Sequence, residues 1–330
     1  MDKILFENLF KDGLLSEGSF KNVTDLKRPR IISVFAELKI LLYTGILLLT
    51  AGISISVYKN IDSIGHQVIL LAIALVCTAC FYWCFKTKLP FSTGKVESHP
   101  PYFDYVLLLG CLLLLTFIAY LQFQYSVFGD RYGLATFIPM VLLFIIAYFF
   151  DNIGILSLAI TNLAAWAGLA VTPTKILKQN DFSSSTIIFT AVTLGIFLCL
   201  LAVVSVKKKI KPHFNFTYNN FGINILFIAL IAGMIHYENL FLLWFIIIAA
   251  FGFYVYRKAV KDHSFYFLLM LAIYIYIALG YVVLKLLFDV ADLDVGGAYL
   301  AFTYFIASAV LLIIFLTRMN KILKPHDRLQ

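Results

Sequence analysis

The stretch 133-GLATFIPMVLLFIIAYFFDNIGILSLAITNLAAWAGLAVT-172 decides the fold. It holds two apolar runs, each of about the length that crosses a bilayer, parted only by Asp151 and Asn152. At about 1.5 Å per residue, one unbroken helix through both would be about 60 Å long, twice the hydrocarbon thickness. The stretch therefore reads as a tight hairpin of two spans. Asp151 is expected to cap the second helix, and Asn152 to take the turn geometry.

Eight further runs of the same kind complete the chain. The spans read as 38–57, 66–85, 104–124, 133–150, 152–172, 186–206, 218–236, 238–256, 264–288 and 295–317. The class follows as all-α, a polytopic transmembrane helix bundle. Composition agrees: 62% of the 330 residues are hydrophobic and only 13% are charged, too few to coat a soluble surface of this size. Aromatics make up 16%, which suits rings at the lipid boundary. Three segments follow: a cytoplasmic helical hairpin at 1–37, the transmembrane domain at 38–317 and a basic cytoplasmic tail at 318–330.

The cations orient the bundle. Lys and Arg number seven before residue 40, three at 86–95, four at 207–211, three at 257–261 and four from 318 onward. The opposite loops hold Lys59, Arg131, Lys175 and Lys178, and Lys285 lies inside the ninth span. Positive charge marks the cytoplasmic side, so both termini are expected there. The net charge of +8 then faces an anionic leaflet and calls for no nucleic acid. The first 37 residues lack an uninterrupted apolar core, so the first span is expected to direct insertion itself.

A resemblance can be read from short motifs. Leu9-Phe10-Lys11-Asp12-Gly13-Leu14-Leu15-Ser16-Glu17, the glycine-spaced run Thr44-Gly45-Ile46-Leu47-Leu48-Leu49-Thr50-Ala51-Gly52 and the turn Asn60-Ile61-Asp62-Ser63-Ile64-Gly65 carry it. So do Gly129-Asp130-Arg131-Tyr132-Gly133-Leu134 and Phe150-Asp151-Asn152-Ile153-Gly154. Over about residues 5–172 the chain resembles a bacterial, Bacteroidetes-like family of predicted integral-membrane proteins, domain of unknown function 2157. That resemblance implies the bacterial inner membrane and brings no activity with it.

Function is sought where lipid penalises polarity. Asn162 and Thr161 lie near the middle of the fifth span, one turn before Trp166, and Pro139 interrupts the span before it. A proline kink beside a midplane amide can form a solute pocket; the amide can equally join two helices by a hydrogen bond. Lys285, with Asp289 four residues on, reads as a snorkelling ion pair or as a charge that neutralises an anionic solute arriving from outside. Other polar groups assigned to the outer face are Asp292, Asp294, His236, Glu238, Asp130 and Arg131. The three aspartates at 289–294 lack the spacing of a known calcium loop. Cys77, Cys80 and Cys84 share a helix face without His or carboxylate partners, which favours packing over metal. No catalytic set, cofactor or metal is expected, and an enzyme is disfavoured.

Two function classes stay open. One is a small-solute transporter, with ten helices divided into five-plus-five inverted halves. The other is a non-transporting scaffold or assembly factor that docks a cytoplasmic protein partner through its N-terminal hairpin. In both, the lipid bilayer is the first partner.

Overall fold

A computed structural model describes residues 35–59, 65–96, 102–129, 132–171, 184–290 and 295–323. The N-terminal hairpin expected at 1–37 falls almost wholly outside them. The described residues form ten α-helices: α1 Phe35–Lys59, α2 His66–Thr87, α3 Phe103–Tyr125, α4 Tyr132–Phe150, α5 Ile153–Val171, α6 Ser185–Lys207, α7 Asn215–His236, α8 Phe241–Lys261, α9 Phe265–Lys285 and α10 Val295–Leu323. Nine, α2 to α10, are long and apolar enough to cross a membrane, and α1 carries a shorter apolar stretch at Ile40–Ser56. Helices are the element lipid permits, because each satisfies its own backbone polar groups. A helix stands at each of the ten expected positions, and nine of the ten qualify as crossings. α10 runs past the expected limit of 317, so Arg318 and Lys321 belong to a helix rather than a tail.

The chain divides into two compact bodies, Met1–Ser56 and Val57–Gln330. In the first, a Cβ on Gly45 or Gly52 would meet nothing within 4 Å among the described residues, so neither marks a close helix contact there. In the second, consecutive helices pack side by side, most intimately as the pairs α2–α3, α4–α5, α6–α7 and α8–α9. α7 is the central element: 56% of its apolar window is buried, against 6% for α10. Its apolar side joins Ile223, Phe227, Leu230 and Met234 to Trp244 and Ile248 of α8 and Leu268 and Leu271 of α9.

The turn between α4 and α5 exchanges the two expected roles. Asp151 takes the left-handed conformation (φ 57°) and closes α4, with the Asn152 N–H donating to Ala147 O at 3.1 Å. Asn152 then caps α5, its Oδ1 accepting the Ile155 N–H at 3.0 Å. The Asp151 carboxylate is thereby left to reach other loops.

That turn recurs. Between α8 and α9, His263 is left-handed (φ 48°), Ser264 N–H donates to Ala259 O at 2.9 Å, and Leu268 N–H returns to Ser264 O as Leu156 N–H does to Asn152 O. Each partner lies 112 residues downstream: 147 to 259, 151 to 263, 152 to 264 and 156 to 268. The same offset takes Gly110 of α3 to Gly222 of α7, the two glycines at which α3 approaches α2 and α7 approaches α6. It also pairs the fully buried Leu143 with Val255 and Ala147 with Ala259. α3 further touches α5 as α7 touches α9. The packing thus repeats every four helices, α2–α5 and α6–α9, rather than every five. An even number returns the chain to the face it started from, so the two units run in the same sense and are not inverted.

The glycine crossing is tight. A Cβ on Gly222 would lie 2.8 Å from Cys199 Sγ and 3.1 Å from both Cys199 N and Gly195 O. Gly222→Ala should therefore cost about 1–3 kcal/mol by overpacking against backbone. Gly133→Ala, whose Cβ would meet only Trp166 Nε1 at 3.9 Å, should gain helix propensity of up to ~1 kcal/mol instead. Thermal melting in one detergent measures both.

Candidate functional site

Polar side chains gather at three levels of the body Val57–Gln330. At one end, the turns after α2, α4 and α6 are bonded together. Asp151 Oδ1 accepts from His213 Nε2 at 2.8 Å and lies 3.1 Å from Lys211 Nζ; Oδ2 accepts the Val96 N–H at 2.7 Å. Lys211 is fully buried, its Nζ also donating to Gly94 O at 3.2 Å and lying 5.2 Å from the centre of the Phe91 ring. The Lys211 backbone is left-handed and its N–H donates to Thr93 O at 2.7 Å, while Ser205 Oγ donates to the carbonyls of Ile210 and Lys211. Asn152 Nδ2 adds a bond to Asp104 at 2.8 Å. Every loop in this clasp is one that the cation pattern puts on the inner side.

At the other end, Lys285 Nζ pairs with Glu238 at 2.6 Å and with Asp289, which lies on the single π-helical turn Leu286–Val290. Ser185 Oγ and His236 Nε2 meet at 2.9 Å. The expected outer group thus brings Lys285, Asp289 and Glu238 together, with His236 beside Ser185. Asp130, Arg131, Asp292 and Asp294 lie outside the described residues.

The third level lies inside the bundle, along α7. Asn219, almost fully buried, donates through Nδ2 to the backbone and side-chain oxygens of Asn215, and its Oδ1 accepts from Lys258 Nζ of α8 at 2.5 Å. Asn220 Oδ1 accepts from Tyr266 of α9 at 2.7 Å and from Asn224 Nδ2 at 3.0 Å. Asn224 Oδ1 accepts from Tyr274 at 2.6 Å. Tyr274 also stacks on Phe227, with ring centres 5.0 Å apart. Asn224 is nine residues into α7, so this wedge climbs about 13 Å, close to mid-bilayer.

The sequence reading missed this wedge. Lys258 was counted with the cytoplasmic loop, but α8 continues to Lys261 and turns the Lys258 amine toward Asn219. The legible signal was four asparagines, 215, 219, 220 and 224, within ten residues and mostly one turn apart.

The repeat tells which of these groups the fold itself requires. Shifted back by 112, Asn219, Asn220 and Asn224 become Leu107, Leu108 and Leu112, Lys258 becomes Ile146 and Tyr266 becomes Gly154. Four of these five positions thus carry apolar side chains in the first unit, and the fifth a glycine. Tyr274 becomes Asn162. Asn162 donates within its own helix, to Leu158 O at 3.1 Å. Thr161 is exposed and bonds Ser157 O, and Trp166 packs on Phe137 with ring centres 5.3 Å apart. Pro139 is buried within α4. A groove of about 550 Å³ lined by Leu75, Val76, Ala79, Cys80, Trp83 and Val106 is apolar and includes none of these groups.

Residues 7–156 match the family model described as predicted membrane protein (DUF2157). No curated protein and no solved structure matches the chain. The matched stretch ends in the first turn of α5, and the whole polar wedge lies beyond it.

Proposed function

We propose that this multi-pass membrane protein is a small-solute carrier of the bacterial inner membrane, and that the wedge between α7, α8 and α9 is its solute site. The observation that carries this reading is the wedge itself. Four amides, a lysine and two phenols stand within membrane-spanning helices, and the matching positions of the first unit show that the frame can be packed without most of them. Polar groups that cost free energy in hydrocarbon and are not needed for packing point to a ligand. Parallel repeats related by an axis along the membrane normal are also a known carrier architecture. The cation bias supports cytoplasmic termini, and with them a wedge that opens to the cytoplasm at Lys258 and Tyr266.

A non-transporting scaffold would use the same groups only as interhelical bonds. Proteoliposomes separate the two readings. The purified protein should equalise an imposed gradient of at least one solute from a mixed panel of small metabolites, read by mass spectrometry of the lumen. Asn224→Leu should remove that flux. A correctly inserted wild-type protein that moves nothing in the panel, or an Asn224→Leu variant that moves the solute as well as wild type, would contradict the carrier reading.

A further inference from the structure

The wedge's hydrogen bonds can be counted donor by donor. Asn219 spends Nδ2 on Asn215 and its Oδ1 on Lys258, an orientation the ammonium imposes because it can only donate. Asn224 spends Nδ2 on Asn220 and on Met270 Sδ, and its Oδ1 on Tyr274. Asn220 Oδ1 receives two donors, from Tyr266 and Asn224. Each of these amide oxygens thus accepts at least one bond, and that of Asn220 accepts two. The donors left unspent among the described residues include two of the three ammonium hydrogens of Lys258 and the Nδ2 group of Asn220. Lys258 bonds the residue next to Asn220, so the two groups lie within a turn of each other along α7, on its α8 and α9 sides. No carboxylate lies within 4 Å of the Lys258 amine among the described residues; Asp262, four residues on and exposed, acts on it from farther away. In the first unit the corresponding position is the apolar Ile146.

A half-buried cation with donors to spare and no carboxylate in ion-pairing range is complementary to an anion. We infer that the inner end of the wedge binds an anion through carboxylate or phosphate oxygens, with Lys258 as the charge partner and Asn220 Nδ2 as a second donor. The inference rests on the carrier reading for the ligand being a transported solute; a phospholipid headgroup offers the same oxygens from the inner leaflet.

The test uses delipidated full-length protein in an uncharged detergent, followed by thermal unfolding. Acetate, succinate and inorganic phosphate are each titrated against chloride at equal ionic strength, with acetamide as the neutral control. In parallel arms, phosphatidylglycerol is compared with an uncharged glycolipid. At least one soluble anion should raise the melting temperature of wild type in a saturable way. Lys258→Gln should weaken that apparent affinity roughly tenfold or more, the size expected for one charge-assisted hydrogen bond. Lys258→Arg should keep it, and each variant is read against its own baseline so that a general loss of stability is not mistaken for lost binding. Stabilisation by phosphatidylglycerol alone, lost in Lys258→Gln, would uphold the anion site and overturn the carrier reading. Equal stabilisation by acetamide would overturn the anion inference and leave the carrier reading standing. Anion binding unchanged in Lys258→Gln, or no response to any anion or to phosphatidylglycerol, would overturn the inference.

Discussion

Asp151→Ala should destabilise the protein by about 3–5 kcal/mol, the largest single effect expected of any substitution here. The side chains of Asp151 and Lys211 are 2% and 0% exposed, so the carboxylate is the counter-charge of a lysine with no access to water. Its removal also strips partners from the Val96 N–H and from His213 Nε2. The loss is a desolvation cost: an ammonium that found an anion in the fold is left facing neutral carbonyls and the Phe91 ring. Asp151→Asn should cost less than alanine, because the amide oxygen can still accept one of these bonds. Replacing both charges together, as Asp151→Asn with Lys211→Met, should recover much of the loss, since no buried charge then remains. Melting curves of the four proteins, with hydrogen exchange at 93–96, measure this. The exchange readout matters because the clasp holds the loop after α2 through Thr93, Gly94 and Val96. Equal stability of Asp151→Ala and wild type would show that the clasp contributes nothing.

The second large effect is on function and leaves the fold almost untouched. The variant Asn220→Leu, Asn224→Leu, Tyr274→Phe transplants the leucines of positions 108 and 112 into the second unit and removes one of the two phenols that would lose an acceptor; the other, Tyr266, is exposed. Replacing donor and acceptor together by apolar groups of similar shape is nearly neutral, and Phe keeps the ring that stacks on Phe227. Each interhelical bond lost in a membrane costs about 0.6 kcal/mol, up to ~2, and added apolar packing offsets part of that. The melting temperature should thus stay close to wild type while solute flux disappears. A variant that melts far lower but, in its folded fraction, transports normally would identify the wedge as interhelical glue.

The span pattern was legible because lipid leaves few alternatives: an apolar run of about 20 residues must be a helix, and Asp151-Asn152 is too short a link for anything but a hairpin. Which of those two residues would cap α5 was not legible. That choice depends on Lys211 and His213, some sixty residues away, which draw the Asp151 carboxylate out of the turn. The inner clasp is invisible in sequence for the same reason. Lys258 was misplaced because a basic cluster at 257–261 looks like a loop, although a lysine can turn back along its own helix toward an amide. The Asn219, Asn220 and Asn224 series was readable from its helical spacing and was passed over for Asn162, which looked more isolated. The four-helix repeat has few identical residues over its 112-residue offset. It emerges from turn geometry and burial, which tolerate Leu143 for Val255 or Ile155 for Phe267.

The central claim is that the wedge is a wet solute path and not a dry seam. Access of water to position 224 tests it most directly. With the five native cysteines replaced, Asn224→Cys should react with a membrane-impermeant thiol reagent applied to the cytoplasmic face of inverted vesicles, and Lys209→Cys, on the exposed inner turn, serves as the accessible reference. The account predicts modification at 224 from that face and protection from the other. A cysteine at 224 that resists the reagent from both faces while position 209 reacts fully would contradict it.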